Sequence, residues 1–475
     1  MSQRISLYSS IKPGLILAFS LALFTSGCAF QQYHAKPIDP IAINARLQNK
    51  DLSSPQFQQY LIKNGYIAER LPIKQWGLDE LVYCALFFNP SLDVARAQLR
   101  AAEIAQLTAL ERPIPSINGS VAHSNQANND IRPYALGLSI DIPFETANKR
   151  DIRIDSARHL SEIAKLEIAQ TAWQLRNQIA QTFNEYQLNR KLIGLLADEQ
   201  AIRQEIVNIY QKRFDLGAAS NGELSIAKLQ FQTMQFQLAA TQRDELTLQA
   251  KLASNLGLPL AKVRAMNLTD SITALPTIPS STDAQTAALL NRLDIRIALK
   301  RYALAETKLK LEITKQYPDI ILSPGYAYEF GDNIWSLGIS GLLSILNKNK
   351  AAIAEAKQLR EVEAAQFEAL QAKVVTDVSV ANSELMQAQQ SMLNQQQLRD
   401  LQQANAQRIQ RRFAAGDADR LELTFSKLES NAAEKNVLLA QAQQIMALTE
   451  LENMLQESLM QSNKNPSMAE SSAKN

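Results

Sequence analysis

The feature that most constrains the fold is a run of helix-forming residues from Ala147 to Phe214. This run contains one glycine, Gly194, and no proline, and its apolar residues recur at the three- and four-residue spacing of a helix face. A continuous helix here would be on the order of 100 Å long, since each residue adds about 1.5 Å. A helix of that length does not fit inside a compact globular domain.

A second run of the same kind extends from Leu342 to Ala415 without glycine or proline. Both runs end in one phrase, Arg-Phe-x-x-Gly-x-Ala-x-x-x-Glu-Leu, which starts at Arg213 in the first copy and at Arg412 in the second. The sequence therefore predicts an internal tandem duplication of a unit built around a very long helix.

The glycines of the shared phrase, Gly217 and Gly416, mark two predicted helix turns. A glycine just past a helix end accepts the left-handed conformation that stops the helix. We expect the chain to reverse at each glycine into a return helix, over about Gly222–Leu256 in the first copy and Asp419–Leu459 in the second.

Ahead of each long helix the apolar period changes from 3.6 to 2, which predicts one β-hairpin per copy with one apolar face and one small or polar face. A soluble β-sandwich would give a similar alternation. Four strands, however, are too few for a core of their own, and the apolar faces carry aromatic residues near the strand ends, as lipid-facing barrel strands do.

Four strands cannot close a barrel, and an open sheet edge is not tolerated in a bilayer. We therefore predict that three copies close a barrel wide enough for a water-filled lumen. The predicted lumen residues are Asp141, Ser139, Asp319 and Glu329. The predicted fold class is a mixed α and β membrane protein, in which a trimeric 12-stranded β-barrel with four strands per chain continues into a long α-helical coiled-coil tunnel.

The first residues have the features of an export signal. Arg4 and Lys12 supply positive charge, residues 14–24 are apolar, and Cys28 follows two small residues. This end resembles the lipobox of bacterial lipoproteins, which implies lipidation of Cys28, although Thr25 stands where leucine is usual. The alternative is an ordinary signal peptide with an incidental cysteine.

Composition and the repeat together predict the remaining boundaries. The segment after the cysteine is polar and contains prolines, which suits an extended conformation, and the end of the chain is polar, which predicts disorder. The predicted parts are a signal peptide (1–27), an N-terminal extended segment (28–77), a first repeat (78–256) with one helix over 78–111, an equatorial connector (257–282), a second repeat (283–459) and a disordered tail (460–475).

Several classes of function lack support in this sequence. The formal net charge of +2 does not indicate a nucleic acid partner, and the three histidines lack the spacing of metal ligands. No phosphate-binding loop and no catalytic motif is present, so we predict neither an enzyme nor a cofactor. Cys84 lies in an apolar run and is predicted to be a buried thiol.

This organisation resembles the TolC family of bacterial outer-membrane efflux proteins, over essentially the whole chain after the signal. The resemblance rests on "NPSLDVARAQLRAAEIA", "LGLSIDIPFETANKRDIRIDSAR" and the paired "RFxxGxAxxxEL" turns. The second repeat departs from the family at Ser344, where a proline matching Pro143 is usual. Its wording "NKNKAAIAEA" most resembles the branch that serves heavy-metal or cation pumps.

The resemblance implies a passive, gated conduit in the cell outer membrane that is lipid-anchored and extends into the periplasm. It implies a homotrimer in contact with outer-membrane lipid, which receives drugs or metal cations from an inner-membrane pump of the RND type through a periplasmic adaptor protein. Two alternatives are the channel of a type I protein secretion system and a periplasmic coiled-coil adaptor. An adaptor would carry soluble β-domains beside one helical hairpin, so the duplicated hairpins disfavour it.

The gate is predicted at the helix turns, chiefly at the second, where Asp417, Asp419 and Arg420 follow Gly416. The first turn offers Asp215. A threefold axis would repeat each charge three times, so the carboxylates would form a ring that attracts cations. Arg420 is predicted to pair with an acidic residue of a neighbouring copy. The alternative is that Asp417 and Asp419 cap the return helix.

Overall fold

The computed structural model describes residues 31–125, 132–269, 281–341 and 348–459. The predicted signal peptide, Cys28 and the predicted tail lie outside the described residues. The chain divides into two units, residues 1–49 and residues 50–475. The first unit contains helix α1 (Pro40–Gln48), in which no residue is buried and whose first turn is capped by Asp39.

The second unit contains both repeats. The α-helices up to residue 269 are α2 (Pro55–Lys63), α3 (Leu78–Phe88), α4 (Pro90–Leu110), α5 (Lys149–Asp215), α6 (Asn221–Leu256) and α7 (Leu260–Arg264). The α-helices from residue 281 onward are α8 (Ser281–Asn291), α9 (Leu293–Thr314), α10 (Lys350–Ala414) and α11 (Arg420–Leu455). The strands are β1 (Ser116–His123), β2 (Tyr134–Phe144), β3 (Ile320–Glu329) and β4 (Asp332–Ser340).

The two predicted long helices are confirmed. Helix α5 has 67 residues and helix α10 has 65, so each is about 100 Å long. Each is followed by a return helix of 36 residues. Helix α11 packs against α10 of its own repeat and also against α5 of the first repeat, so the two repeats share a helix seam.

The strands form one antiparallel sheet in the order β1-β2-β3-β4, and the two predicted hairpins are confirmed. Strands β2 and β3 pair across the repeats, for example Leu136 opposite Tyr328. Residues opposite each other share a face, and the register places the apolar side chains on one face. Val121 is 77% exposed there and Trp335 is 81% exposed. The sheet therefore presents an uncovered apolar surface.

A pair of left-handed residues precedes each long helix. Ala147 and Asn148 have φ angles of +57° and +58° before α5, and Lys348 and Asn349 have φ angles of +52° and +48° before α10. We call these two pairs the elbows. None of the four residues is glycine, although a positive φ angle is uncommon for other residues. The same uncommon backbone conformation thus occurs at equivalent places in both repeats.

The core of the first repeat is rich in aromatic residues. Phe57 and Leu61 of α2 are fully buried, and the ring of Phe57 lies 5.3 Å from that of Phe87 and 5.2 Å from that of Phe88. The prediction of an extended segment over 28–77 is therefore wrong for 40–48, which is α1, and for 55–63, where a helix places two apolar residues four positions apart on one face. Trp76 is also buried in this core, and its backbone N–H donates to the Asn267 carbonyl at 2.9 Å.

The core of the second repeat is smaller and aliphatic, built around Ala288, Val378, Leu385 and Leu451.

The helical segment ahead of each hairpin is divided into two helices, α3 and α4 in the first repeat and α8 and α9 in the second. The prediction of a single helix over 78–111 is therefore wrong. Proline at position 90 cannot donate to the preceding turn, so α3 ends and α4 begins there, with the side chain of Asn89 accepting from the N–H of Ser91 at 2.9 Å.

None of the helices in the described ranges combines the length and the apolar character that a membrane-spanning helix requires. Cys84 is buried, as predicted, and burial raises the pKa of its thiol.

Candidate functional site at the helix turns

The two helix turns have the same backbone. Gly217 has a φ angle of +74° and Gly416 one of +84°. The N–H of Ala218 donates to the Arg213 carbonyl at 2.7 Å, and the N–H of Asp417 donates to the Arg412 carbonyl at 2.8 Å. A Cβ built on either glycine would meet no atom within 4 Å. Glycine is thus favoured at both positions by the left-handed backbone and not by packing.

The caps of the two return helices differ in charge. In the first turn the neutral Ser220 accepts from the N–H of Glu223 at 3.2 Å. In the second turn the carboxylate of Asp419 accepts from the N–H of Glu422 at 2.7 Å. That backbone hydrogen bond, followed by the Arg213 guanidinium, holds the pKa of Asp419 below its usual value. Asp419 is therefore the N-cap of α11, as the alternative interpretation predicted for this residue, whereas Asp417 is not the N-cap.

Ion pairs join the second turn to the first repeat. Arg213, in the last turn of α5, lies 3.0 Å from the Asp419 carboxylate. Arg420 lies 2.6 Å from the carboxylate of Glu205, also on α5. These contacts bring Asp419 and Arg420 together with the end of the first long helix, where Gly217 lies.

A third ion pair lies within the second repeat, where Arg412 is 2.7 Å from the carboxylate of Glu422. Arg412 also donates to the Asp417 carbonyl at 2.9 Å, so it stabilises the turn through the backbone. Asp215 accepts from Gln211 one turn earlier in α5, at 2.9 Å.

Sequence reasoning did not identify the partners of the predicted gate residues. Arg420 pairs with Glu205 of its own chain in this structure, and its predicted pairing with a neighbouring copy stays a prediction. The signal for Arg213 and Arg412 was present, since both begin the phrase that the repeats share. No comparable signal marks Glu205.

Three of the predicted lumen residues lie on the polar face of the sheet. Ser139 stands opposite Asn118, and Asn118 donates to the carboxylate of Asp141 at 2.7 Å. Glu329 stands opposite Asp332 at the β3–β4 turn. Their position in a lumen stays a prediction.

The fourth predicted lumen residue, Asp319, lies just before β3 and not within it. Its carboxylate lies 2.8 Å from the ammonium of Lys149 and accepts from the N–H of Thr146 at 3.0 Å. Asp319 thus fixes the start of β3 to the first elbow. The predicted position of Asp319 on a strand is therefore wrong. Its carboxylate is held at the elbow by the charge of the buried Lys149, one residue before β3 begins.

Among the described residues, no group of three or more histidine, cysteine, aspartate or glutamate side chains is placed to hold a metal ion.

Comparison with known sequences and structures gives one family match, over part of the chain, and several similar folds. Residues 81–258, the first repeat, match the sequence model of the outer membrane efflux proteins. The first repeat is therefore similar to the outer membrane efflux proteins, whose members are transport conduits and not enzymes, and the predicted resemblance to TolC-type outer-membrane channels is confirmed. The comparison with curated proteins gave no match.

Solved outer-membrane channels have a similar fold. VceC from Vibrio cholerae aligns with a TM-score of 0.66 and 17% identity, over 80% of this chain and 96% of VceC. CmeC from Campylobacter jejuni aligns with a TM-score of 0.65 and 15% identity, over 84% and 89%. MtrE from Neisseria gonorrhoeae, solved in an open state, aligns with a TM-score of 0.63 and 18% identity, over 82% and 91%.

Proposed function

We propose that three copies of this chain form the outer-membrane channel of a tripartite efflux system. The proposed assembly is a passive, gated conduit, in which a 12-stranded barrel continues into a periplasmic tunnel of long helices. The repeats 78–256 and 283–459, joined by the connector 257–282, are its proposed structural units. The family match and the similar fold of solved outer-membrane channels support the proposal.

The observation that carries the proposal is the sheet. Strands β1 and β4 are its two edges, so a single chain leaves two rows of backbone hydrogen-bonding groups without strand partners. The apolar face is uncovered, with Leu337 67% exposed and Ile339 72% exposed. In a bilayer each unpaired backbone group costs several kcal/mol, and closure with further copies removes that cost.

The polar face of the same sheet is the proposed lining of the lumen, with Ser139, Asp141 and Glu329. The proposed gate is the end of the helices at the second turn, where Asp417, Asp419 and Arg420 lie beside the first turn. A threefold arrangement would bring three sets of these charges close together, which favours passage of cations over anions.

The cargo and the partners are further proposals. We infer small toxic substrates, drugs or metal cations, handed over by an inner-membrane pump of the RND type through a periplasmic adaptor. A channel for type I protein secretion is the second candidate function, since a tunnel of this kind would suit a polypeptide equally well. Identification of the pump that copurifies with the chain distinguishes the two.

The mass of the detergent-extracted particle tests the assembly, and planar lipid bilayers test conduction. We expect a particle of three chains that conducts ions. A stable monomer would contradict the proposed barrel, and a trimer without conductance would contradict the proposed conduit.

We also propose that Cys28 is lipidated and that the closed barrel supplies most of the membrane attachment. A single acyl chain gives only marginal attachment, whereas the barrel buries the apolar faces of all its strands. The variant Cys28→Ser should therefore remain in the outer membrane. Its recovery in the soluble periplasmic fraction would show that the lipid is the main anchor.

A further inference from the structure

Each elbow is fastened to the helix that precedes the hairpin of its own repeat. Arg150, just after the first elbow, donates to the Leu110 carbonyl at the end of α4, at 2.6 Å. Asn349, in the second elbow, donates to the Glu312 carbonyl near the end of α9, at 2.9 Å. The first elbow also contacts the other repeat, at the start of β3.

Lys149 makes the contact between the first elbow and β3. This lysine begins α5 and is buried. Its ammonium donates to the Tyr317 carbonyl at 2.6 Å and lies 2.8 Å from the Asp319 carboxylate. The strand that leads into this elbow, β2, is also the strand that pairs with β3. The joint between the repeats thus consists of a strand pair and a lysine that contacts the residues just before the partner strand. We call it the repeat joint.

The duplication supplies an equivalent of each part of the repeat joint. Lys350 begins α10 directly after the second elbow, as Lys149 begins α5 directly after the first. The segment Ile-Pro-Ser at 114–116 corresponds to Tyr-Pro-Asp at 317–319, since each leads into the first strand of its hairpin. In one chain, however, β1 and β4 are opposite edges of the sheet, about 14 Å apart. The equivalent joint therefore requires two copies of the chain.

The surfaces that such a joint would use are uncovered. Lys350 is exposed at one end, and at the other Ile114 is 87% exposed and Ser116 is exposed. Ser116 stands opposite Asp141, and residues opposite each other share a face. A carboxylate thus lies beside the position that Lys350 of another copy would take. The two surfaces are complementary in charge.

The duplication also predicts how the two edge strands would align. Residues of β2 and β4 correspond at a spacing of 201 positions, as Gly137 and Gly338 show. Residues of β1 and β3 correspond at a spacing of 203 positions, as the preceding Pro115 and Pro318 show. The known register of β2 against β3 can therefore be converted into a register of β4 against β1.

The converted register places Ser340 of one copy opposite Ala122 of the next, because Ser139 stands opposite Gly325 in the repeat joint. A one-residue error would bring opposite faces of the two strands together. Instead, Ser340 and Ala122 both lie on the polar face of the sheet.

The neighbouring pair agrees with this register. Ile339 would stand opposite His123, since Leu138 stands opposite Tyr326 in the repeat joint. Both Ile339 and His123 lie on the apolar face. The register derived from the duplication thus keeps both faces continuous from one copy to the next.

We propose that the joint between two copies repeats the joint between the two repeats. Lys350 of one copy donates to the Ile114 carbonyl and to the Ser116 hydroxyl of the next copy. Strand β4 pairs there with β1, with Ser340 opposite Ala122. This inference rests on the proposed function, which supplies the closed assembly.

The two kinds of joint differ in charge. Asp319 gives the repeat joint a direct ion pair, whereas Ser116 offers only a hydroxyl at the equivalent position. The nearest carboxylate, that of Asp141, is one strand further away, and attraction between charges weakens with distance. The joint between copies is therefore weaker than the joint within the chain.

Disulfide formation between copies tests the register. Ile339→Cys combined with His123→Cys should give covalent dimers and trimers on mild oxidation in the outer membrane. Ser340→Cys combined with Ala122→Cys should do the same. Successive opposite pairs alternate between a close and a wide spacing, so the two variants sample both. The parent chain, which keeps its own cysteines, gives the background.

The matched control is Ile339→Cys combined with Val121→Cys, on the same face but two positions away from the predicted partner. Diagonal neighbours lie about 7–8 Å apart, and cysteines with Cα atoms more than about 7 Å apart are not bridged without backbone movement. We expect at least fivefold less covalent product from this control than from Ile339→Cys with His123→Cys.

The dissociation temperature of the detergent-extracted trimer tests the lysine. Lys350→Met removes the proposed contact, and we expect the trimer to dissociate at a temperature lower by roughly 3 °C. The matched control is Lys348→Met, the same change at another exposed lysine of the second elbow. We expect this control to dissociate like the parent.

A trimer in which the control pair cross-links as well as the predicted pairs, or in which neither predicted pair cross-links, would overturn the register. Equal dissociation temperatures for Lys350→Met and Lys348→Met would overturn the role of the lysine. Both results would leave the proposed function intact. If one cysteine pair prevents assembly, the other provides the test. A parent chain that forms no trimer would instead contradict the proposed function on which the inference rests.

Discussion

The two repeats have closely similar backbones but are stabilised by different side chains. Their long helices have 67 and 65 residues, and their return helices have 36 residues each. In the first repeat, α6 ends at Gly257 with a φ angle of +68°, and in the second α11 ends at Gln456 with a φ angle of +50°. The same left-handed position is thus filled by glycine in one copy and by glutamine in the other.

The groups around these two helix ends differ in the same way. At the first, Lys50 donates to the carbonyls of Phe88 and Gly257, at 2.7 and 2.8 Å. At the second, Arg292 donates to the Met454 carbonyl at 3.0 Å. Each return helix thus ends beside a cation, and a positive charge stabilises the C-terminal end of a helix, where the helix dipole is negative. In the first repeat this cation comes from residues ahead of the repeat, and in the second it comes from the repeat itself.

The comparison shows that the duplicated backbone tolerates different chemistry as long as the helix ends are satisfied. It also separates the roles of the copies. The first has a large aromatic core that includes α2, and the second contributes the acidic cap, while cations of both repeats form the ion pairs that join them. The following predictions test that separation, beginning with the largest expected effect.

Replacement of Phe57 by alanine should cause the largest loss of stability. Phe57 is fully buried between Phe87 and Phe88, and loss of a buried phenylalanine costs about 3–5 kcal/mol. The matching change in the second core is Val378→Ala, which removes fewer atoms and should cost about 2 kcal/mol. Thermal unfolding followed by circular dichroism measures both. Equal losses would show that the two cores are equally important.

Replacement of Gly257 by alanine should destabilise the chain by about 2–4 kcal/mol. A Cβ there would lie 2.7 Å from the Phe88 carbonyl oxygen, and the φ angle of +68° is itself unfavourable for alanine. The control is Gly217→Ala, at a φ angle of +74° with no atom near the added Cβ. That variant should lose only about 1 kcal/mol. A similar loss in both variants would mean that contact with Phe88 is unimportant.

The two helix turns should differ in their effect on conduction. Removal of both acidic groups, in Asp417→Ala with Asp419→Ala, deletes the cap of α11 and its ion pair with Arg213. Loss of such a cap costs about 1 kcal/mol, and we expect higher conductance and a weaker cation preference in planar bilayers. Ser220→Ala removes the cap of α6 at similar cost, and we expect parental conductance. If the two variants conduct alike, the gate is not specific to the second turn.

Replacement of Gln456 by glycine should have the smallest effect. Glycine relieves the left-handed backbone, which favours the variant by about 1 kcal/mol. The side-chain oxygen of Gln456, however, accepts from the N–H of Leu293 at 2.6 Å, and loss of this bond costs about 1 kcal/mol. The melting temperature should therefore stay close to that of the parent. A marked drop would show that the glutamine side chain holds the junction in place of a glycine.

Much of the architecture was predictable from local pattern. The absence of proline and the scarcity of glycine predicted both long helices, and the change of period predicted both hairpins. These features depend on residues close together in the chain. The buried helix α2 was not predicted, because its two buried apolar residues, Phe57 and Leu61, lie in a mixed sequence and only their partners in α3 reveal their role.

The candidate site was predictable in location but not in detail. The shared phrase located both turns, yet Arg420 and Glu205 are 215 positions apart and no spacing relates them. The same applies to Glu199 of α5, which is buried and whose carboxylate lies 3.1 Å from the ammonium of Lys435 on α11, 236 positions later in the chain. Contacts between distant helices depend on the packing of the whole unit, which local pattern does not contain.

The elbows have a mechanical consequence. A left-handed conformation costs an L-residue other than glycine about 1–2 kcal/mol, and each elbow places two such residues in succession. The two left-handed residues turn the chain sharply, so each elbow sets the direction in which a long helix leaves the sheet. The direction of a 67-residue helix is thus decided by two backbone positions at its start.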